Sequence, residues 1–287
     1  MELNMALVTM KSLLEKAKQG HYAVGAFNAC NLENAICVFE SARQTQSPVI
    51  IQLHGSEVIY SKGQPLIDAI ISLGDQYREI DYAIHLDHGE SFAEATKCVR
   101  LGFSSVMYDG SSLPFEENVA ITKQVVEMAH AVGVTVEGEL GAIGNTEFGE
   151  SNGPATLTDP AEAKEFCERT GIDCLAASFG TAHGLYKSDP KLDFDRVATL
   201  SELTGLPIVM HGGTGVPEAD IKKAISLGVA KINFSTILRK SFLDDMKEYL
   251  NQNPDDLMVM DIFNAGNKGM IKAIVNAINM CGSNNKM

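Results

Sequence analysis

Eight times in succession the chain follows a short β-rich apolar run with a longer amphipathic stretch. The apolar runs cover 22–27, 48–53, 82–86, 104–108, 134–138, 173–178, 207–210 and 229–233. The stretches between and after them cover 31–44, 64–77, 91–101, 115–132, 159–169, 193–204, 217–226 and 236–250, each long enough for a crossover helix. Eight strand–helix units predict an α/β fold, a closed parallel TIM (β/α)8 barrel. An open doubly wound sheet would usually place a glycine-rich turn after its first strand. Here that strand runs into Asn28-Ala29-Cys30-Asn31, without a GxGxxG pattern.

The joints agree with this reading. Asp159-Pro160 sets a capping residue before a proline at the first helical position, and Ser91 with Glu94 makes a capping-box pattern. Gly102, Gly133, Gly171, Gly205 and Gly228 each fit a helix C-cap before the next strand. Two stretches stand outside the repeat. Residues 139–157 form a long glycine-rich loop of the kind that serves as a lid or binding loop. Residues 252–287 form a polar connection and an additional C-terminal helix at 266–280, which would make a subunit interface or close the barrel bottom. No boundary divides the 287 residues, so 1–287 reads as one barrel domain.

Composition removes several functions. The chain carries 23 basic and 37 acidic residues, a net charge of −14, which disfavours nucleic acid and anionic lipid as partners. No apolar run approaches the roughly 18 residues of a membrane helix. The six cysteines show no CxxC or zinc-ribbon spacing, and no secretory leader is evident, so a reduced, cytoplasmic protein is expected.

In such a barrel, catalytic groups sit where strands end, on the C-terminal face. Five of the seven histidines fall at or near those ends: His54, His85, His88, His183 and His211. His88, His183 and His211 come from three different strand ends, and a barrel aims them at one centre. Three imidazoles with an open position suit a catalytic zinc-type site. His85, inside its strand, suits inward packing or support of a ligand. Asp87 is either a general acid/base or a hydrogen-bond partner of a ligand histidine. Asp109, Glu137 and Glu139 could complete a metal site, hold a second cation or orient the histidines. His21 and His130 lie at the opposite end of the barrel.

His211-Gly212-Gly213-Thr214-Gly215 leads into Pro217, a strand, a glycine-rich turn and a helix opened by proline. Backbone N–H groups there suit a phosphate, and Asn233, Ser235 and Thr236 at the next strand end add donors.

The stretches HLDHG, SVMYDGSS, VEGELG, GTAHGLYK, PKLDFDR and HGGTGVPEADIKKAISLGVAKIN occur in this order. In order and spacing the chain resembles the class II, metal-dependent ketose-bisphosphate aldolases, the branch with fructose- and tagatose-bisphosphate aldolases. The likeness covers about 20–250. It implies reversible cleavage of a phosphorylated ketose, of the fructose or tagatose 1,6-bisphosphate type, to dihydroxyacetone phosphate and an aldehyde through a zinc-stabilised enediolate. It also implies His88, His183 and His211 as zinc ligands, with other divalent metals able to substitute. Glu139, with Asp109 nearby, would serve an alternative, more buried metal position. Asp87 would handle the hydroxyl proton at the cleaved bond, and Glu147 the proton on the dihydroxyacetone phosphate carbon. Gly184, Gly212, Gly213, Thr214, Asn233, Ser235 and Thr236 would surround that phosphate, assisted by Na+ or K+. Asn28 would face substrate, and a homodimer or homotetramer is expected.

Three departures bear on substrate. The lid reads Gly144-Asn145-Thr146-Glu147-Phe148 where relatives usually have an acid after the glutamate. His54 stands where they usually have serine. Met260-Asp261-Ile262-Phe263-Asn264-Ala265-Gly266 lacks the Asp-Pro-Arg-Lys stretch whose arginine reaches a distal phosphate across a subunit boundary. Lys268 and Lys272 are candidates to compensate, but neither sits in the same register. A ketose 1-phosphate without that second phosphate is therefore the alternative substrate. Two rival readings are a Schiff-base aldolase using Lys231 and a non-catalytic sugar-phosphate-binding barrel.

Overall fold

The computed structural model describes residues 6–145 and 156–287. The barrel strands are β1 (Val24–Asn28), β2 (Val49–His54), β3 (Tyr82–Gly89), β4 (Ser105–Tyr108), β5 (Thr135–Leu140), β7 (Cys174–Ala177), β9 (Ile208–Met210) and β10 (Val229–Phe234). They close in the order β1-β10-β9-β7-β5-β4-β3-β2, all parallel. The expected TIM barrel is thus the observed fold. Two short strands, β6 (Gly144–Asn145) and β8 (Ala182–His183), pair beside the rim of the barrel, with Asn145 opposite His183.

The helices are α1 (Met10–Gly20), α2 (Leu32–Thr45), α3 (Gly55–Tyr60), α4 (Gln64–Gly74), α5 (Phe92–Leu101), α6 (Phe115–His130), α7 (Pro160–Thr170), α8 (Phe194–Thr204), α9 (Glu218–Ser226), α10 (Thr236–Gln252) and α11 (Val259–Cys281). Several sequence signals act where expected, but α6 and α9 end at Ala131 and Leu227, ahead of Gly133 and Gly228, and the Glu94 carboxylate accepts from Glu90 N–H, not from Ser91 N–H as a capping box requires. The Ser91 hydroxyl accepts from Glu94 N–H, Asp159 accepts from the N–H groups of Ala161 and Glu162, and Gly102, Gly171 and Gly205 cap their helices in the left-handed region.

Three elements depart from the sequence reading. First, α1 was not foreseen. It places Met10, Leu13, Leu14 and Ala17 against barrel-interior residues such as Val24, Ile50 and Val209. It therefore closes the N-terminal end of the barrel, the role offered above to the C-terminal helix. Second, α3 is a short helix of six residues whose N-cap is His54. Third, the helix that flanks the barrel after β10 is α11, not α10. The longer α11 buries Met270, Ile274, Ala277 and Ile278 and packs against β1, α2 and α9, whereas α10 buries only Leu238 and lies outside it. The α10–α11 contact is close because Gly266 and Gly269 carry no Cβ. One added at Gly269 would stand 2.5 Å from the Ser241 carbonyl oxygen.

Candidate active site

A cavity of about 710 Å³ opens at the C-terminal end of the barrel. His88 and His183 line it, and His211 is buried beside them. Their ring centroids lie 5.0 Å (His88–His183), 4.6 Å (His88–His211) and 5.7 Å (His183–His211) apart. One nitrogen from each lies within 4.8 Å of the others, so the trio predicted from three separate strand ends does converge.

Backbone geometry puts His88 there. Its φ is +49°, in the left-handed region that a non-glycine residue enters at a cost of about 1–2 kcal/mol. The β3–β4 register shifts at this point, between Leu86 and Gly89. Gly89 follows because a Cβ would stand 2.4 Å from the Met107 carbonyl oxygen. The strand thus ends in a kink that turns the His88 imidazole toward the axis.

Hydrogen bonds orient the rings. His88 Nδ1 is 2.8 Å from Asp109 Oδ2, and His211 Nε2 is 2.9 Å from Glu137 Oε1. Carboxylates accept, so both nitrogens carry the proton. The remaining nitrogens, His88 Nε2 and His211 Nδ1, face each other at 2.9 Å. That separation is a hydrogen-bond distance, so one proton lies between them. Without metal it is a proton on His88. Burial alone would lower that imidazole, but Asp87, Asp109 and Glu139 outweigh it and raise it to about 10. Burial, reinforced by the nearby His88 charge, keeps His211 well below its ordinary value and so neutral.

A second group of possible ligands, His88, Asp109 and Glu139, lies on the other side of the His88 ring, where Nδ1 is 3.9 Å from Glu139 Oε2. Glu139 Oε2 is buried with no hydrogen-bond partner among the described residues, and burial pushes its carboxyl well up. Burial also opposes the charge on Asp109, but His88 and Ser111 hold that carboxylate well below its ordinary range. Three imidazoles beside an under-satisfied carboxylate fit a divalent transition-metal cation, by donor type as well as by spacing.

Asp87 sits on the cavity floor. Gln52 Nε2 donates to its Oδ2 at 3.0 Å and Asn233 Nδ2 to its Oδ1 at 3.1 Å. Burial works against its charge, yet His88 and its neighbours prevail and hold the carboxyl at about 2. Asp87 is therefore an ionised acceptor clamped by two amides. Gln52 also donates to Asn28 Oδ1 at 2.8 Å, and Asn28 donates to Glu57 Oε2 at 3.1 Å. Gln52 was not singled out from sequence, although a polar residue inside the apolar run PVIIQL was a readable signal.

Gly184, Gly212, Thr214, Asn233, Ser235 and Thr236 line one wall of the same cavity. Gly212 has φ +69°, and a Cβ would stand 2.2 Å from the Ala182 carbonyl oxygen. Tyr186, also not foreseen, ties this wall together by accepting from Ala182 N–H and donating to the Gly212 carbonyl. Gly213 differs from the expectation. It is absent from the wall, and its N–H is bonded to the Asn233 carbonyl at 3.1 Å, leaving it unavailable to a phosphate. Arg239, from the first turns of α10, joins the lining, whereas Lys268 and Lys272 do not. Glu147 lies outside the described residues.

Glu137 and Lys231 are not part of the wall. Both are fully buried below it and paired at 2.8 Å, so Lys231 is closed off from a carbonyl substrate and the Schiff-base reading loses its nucleophile.

Comparison with known proteins agrees with this geometry. Residues 8–286 match the family model for class II fructose-bisphosphate aldolase. The chain is 43% identical to the sulfofructosephosphate aldolase of Alkalicoccus urumqiensis, covering 98% of this chain and 99% of the relative. It is 41% identical to the D-tagatose-1,6-bisphosphate aldolase subunit GatY of Klebsiella oxytoca, covering 97% and 98%. Among solved structures it resembles the YdjI aldolase from Escherichia coli K12, with a TM-score of 0.87 and 33% identity over 98% of this chain and 99% of that one. The chain belongs to the class II fructose-bisphosphate aldolase family. It is thus an aldolase of that class, a carbon–carbon lyase of carbohydrate metabolism.

Proposed function

We propose that this aldolase is metal-dependent and reversibly cleaves a phosphorylated ketose to dihydroxyacetone phosphate and an aldehyde. The observation that carries this reading is the juxtaposition, in one cavity, of the histidine trio, the clamped Asp87 carboxylate and the glycine-lined wall of Gly184, Gly212 and Thr214. His88, His183 and His211 would hold the cation, with zinc the first expectation. When bound, it polarises the ketose carbonyl as a Lewis acid.

The chain's own residues do the rest. The wall formed by Gly184, Gly212, Thr214, Asn233, Ser235 and Thr236 binds the phosphate, with Na+ or K+ offsetting part of its charge. Asp87, held by Gln52 and Asn233, takes the proton from the hydroxyl at the bond to be cleaved and returns it in the aldol direction. Glu147 moves the proton on the dihydroxyacetone phosphate carbon. Asn28 faces the substrate from the β1 end. The working unit would be a homodimer or homotetramer of one-domain protomers in the cytoplasm.

A second reading, a ketose 1-phosphate lacking the distal phosphate, is favoured by one specific observation. Among the described residues, Arg239 is the one lysine or arginine lining the cavity, while Glu57 and Glu90 line it as well. A coupled assay for dihydroxyacetone phosphate release tests both, using fructose and tagatose 1,6-bisphosphates and their 1-phosphates, with and without chelator. Chelator-sensitive cleavage of a bisphosphate supports the first substrate, and cleavage confined to 1-phosphates the second. Turnover indifferent to chelator would remove metal dependence.

A further inference from the structure

Side chains two residues apart on a strand point to the same face, about 6.6 Å apart along it. Three strands use this spacing to build two polar layers inside the barrel. Asp87, Glu139 and Asn233 form the upper layer, and His85, Glu137 and Lys231 the lower one, fully buried. The lower layer does not line the cavity, and its core is a sealed ion pair. Desolvating two charges usually costs as much as their attraction returns, so fold stability is a poor reason for it.

Its bonds point upward instead. Glu137 Oε2 accepts from Lys231 Nζ at 2.8 Å, and Glu137 Oε1 accepts from His211 Nε2 at 2.9 Å. His85 Nε2 stands 3.4 Å from the same Oε2. We propose that Glu137 and Lys231 are positioning residues that lock His211 in the tautomer and ring orientation that presents Nδ1 to the metal. This rests on the metal-dependent reading above.

The logic follows from donor and acceptor counting. An ammonium group only donates and a carboxylate only accepts. Lys231 therefore takes one Glu137 oxygen, leaving the other oxygen for His211. His211 Nε2 must then carry the proton. Its Nδ1 lone pair is left on the side where His88 Nε2 stands 2.9 Å away.

The same counting makes an uncommon prediction. Glu137→Gln is nearly isosteric, but Lys231 can donate only to the amide oxygen. The amide NH2 is then turned to His211 Nε2 and forces the proton onto Nδ1, the nitrogen that should bind. Adding Lys231→Met releases the amide, which can rotate its oxygen back to His211. Zinc affinity, read by competition with a chromophoric chelator on proteins first stripped of metal, should fall about 10–100-fold in E137Q, the usual range for groups that support a metal ligand. It should recover in part in the K231M/E137Q double variant. A merely structural role predicts the opposite order, because the double variant carries more damage.

A measurement on the unaltered enzyme guards against variants that do not fold. Long-range 15N–1H spectra of the histidine rings in the zinc-loaded protein should show His211 protonated at Nε2. Wild-type zinc affinity in folded E137Q, a double variant no tighter than E137Q, or a proton on His211 Nδ1 would each overturn the proposal while leaving metal dependence intact. A wild-type protein that takes up no zinc would overturn both.

Discussion

The two ends of the barrel solve the problem of buried polar groups in opposite ways. At the N-terminal end, Asp173 is buried and fully used. Its Oδ2 accepts from His130 Nε2 at 2.9 Å and from Val136 N–H at 2.8 Å, and its Oδ1 pairs with Lys11 at 3.1 Å. Below the strands, α1 fills the opening with Met10, Leu13 and Leu14. At the C-terminal end, Gln52 Oε1, Glu139 Oε2 and Asn233 Oδ1 are buried without hydrogen-bond partners among the described residues, and His88 holds a positive φ. Each such group costs of order 1–3 kcal/mol. Stability is thus concentrated at one end, and unsatisfied chemistry at the other.

Metal removal should break the comparison most sharply. Chelation should reduce aldol cleavage to background while leaving the α1 end folded, as judged by far-ultraviolet circular dichroism. The return of metal should be linked to protons. His88 in the metal-free protein is raised to about 10, so it is protonated at neutral pH and must give up that proton on loading. About one proton should leave per His88 site near pH 7, measurable with a weakly buffered indicator, and zinc affinity should weaken as pH falls. Uptake with no proton release would contradict the bridging-proton account.

Asp87→Asn comes next. It preserves shape but removes the acceptor charge clamped by Gln52 and Asn233. Cleavage should slow about 10²–10⁴-fold, the usual contribution of a positioned acid/base, with zinc content unchanged. A loss below tenfold would move the proton-transfer role elsewhere. At the other end, Leu14→Ala should act on stability alone. Leu14 is fully buried under the barrel, and such truncations cost about 2–5 kcal/mol. Denaturant unfolding should show this loss, while KM and zinc affinity of the folded enzyme remain those of the parent.

The same contrast explains what was legible in the sequence. Strand ends carry local signals, because a glycine turn and a polar residue after an apolar run mark each one, and so His88, His183 and His211 could be grouped without coordinates. Depth along a strand carries no such signal. Glu137 and Glu139 share a face by the two-residue period, yet one supports His211 from below while the other faces the cavity. Strand periodicity cannot tell these layers apart. Helix α11 escaped its correct placement for a different reason. The apolar residues of α10, Ile237, Leu238 and Phe242, fall at helical spacing directly after the last strand, so α10 completes the repeat and α11 reads as an addition, although α11 is the more apolar helix and the one that meets β1. Helix α1 was readable, with Met10, Leu13, Leu14 and Ala17 at helical spacing after Thr9, but it precedes the first strand and falls outside the repeat that organised the rest.

The smallest effect concerns that same Thr9. Its side chain accepts from Ser12 N–H at 3.3 Å and caps the first turn of α1, a turn with no acidic residue to favour the helix dipole. The bond is exposed, so water can replace part of it. Thr9→Ala should therefore cost about 1 kcal/mol in denaturant unfolding, less than Leu14→Ala, because a cap lost at the surface leaves no cavity. Since α1 meets the barrel at the end opposite the metal site, kcat, KM and zinc affinity should stay unchanged at temperatures where the protein is folded. A Thr9 variant with altered kinetics would show that the plug is coupled to the catalytic rim through the barrel interior, and the division between the two ends would no longer hold.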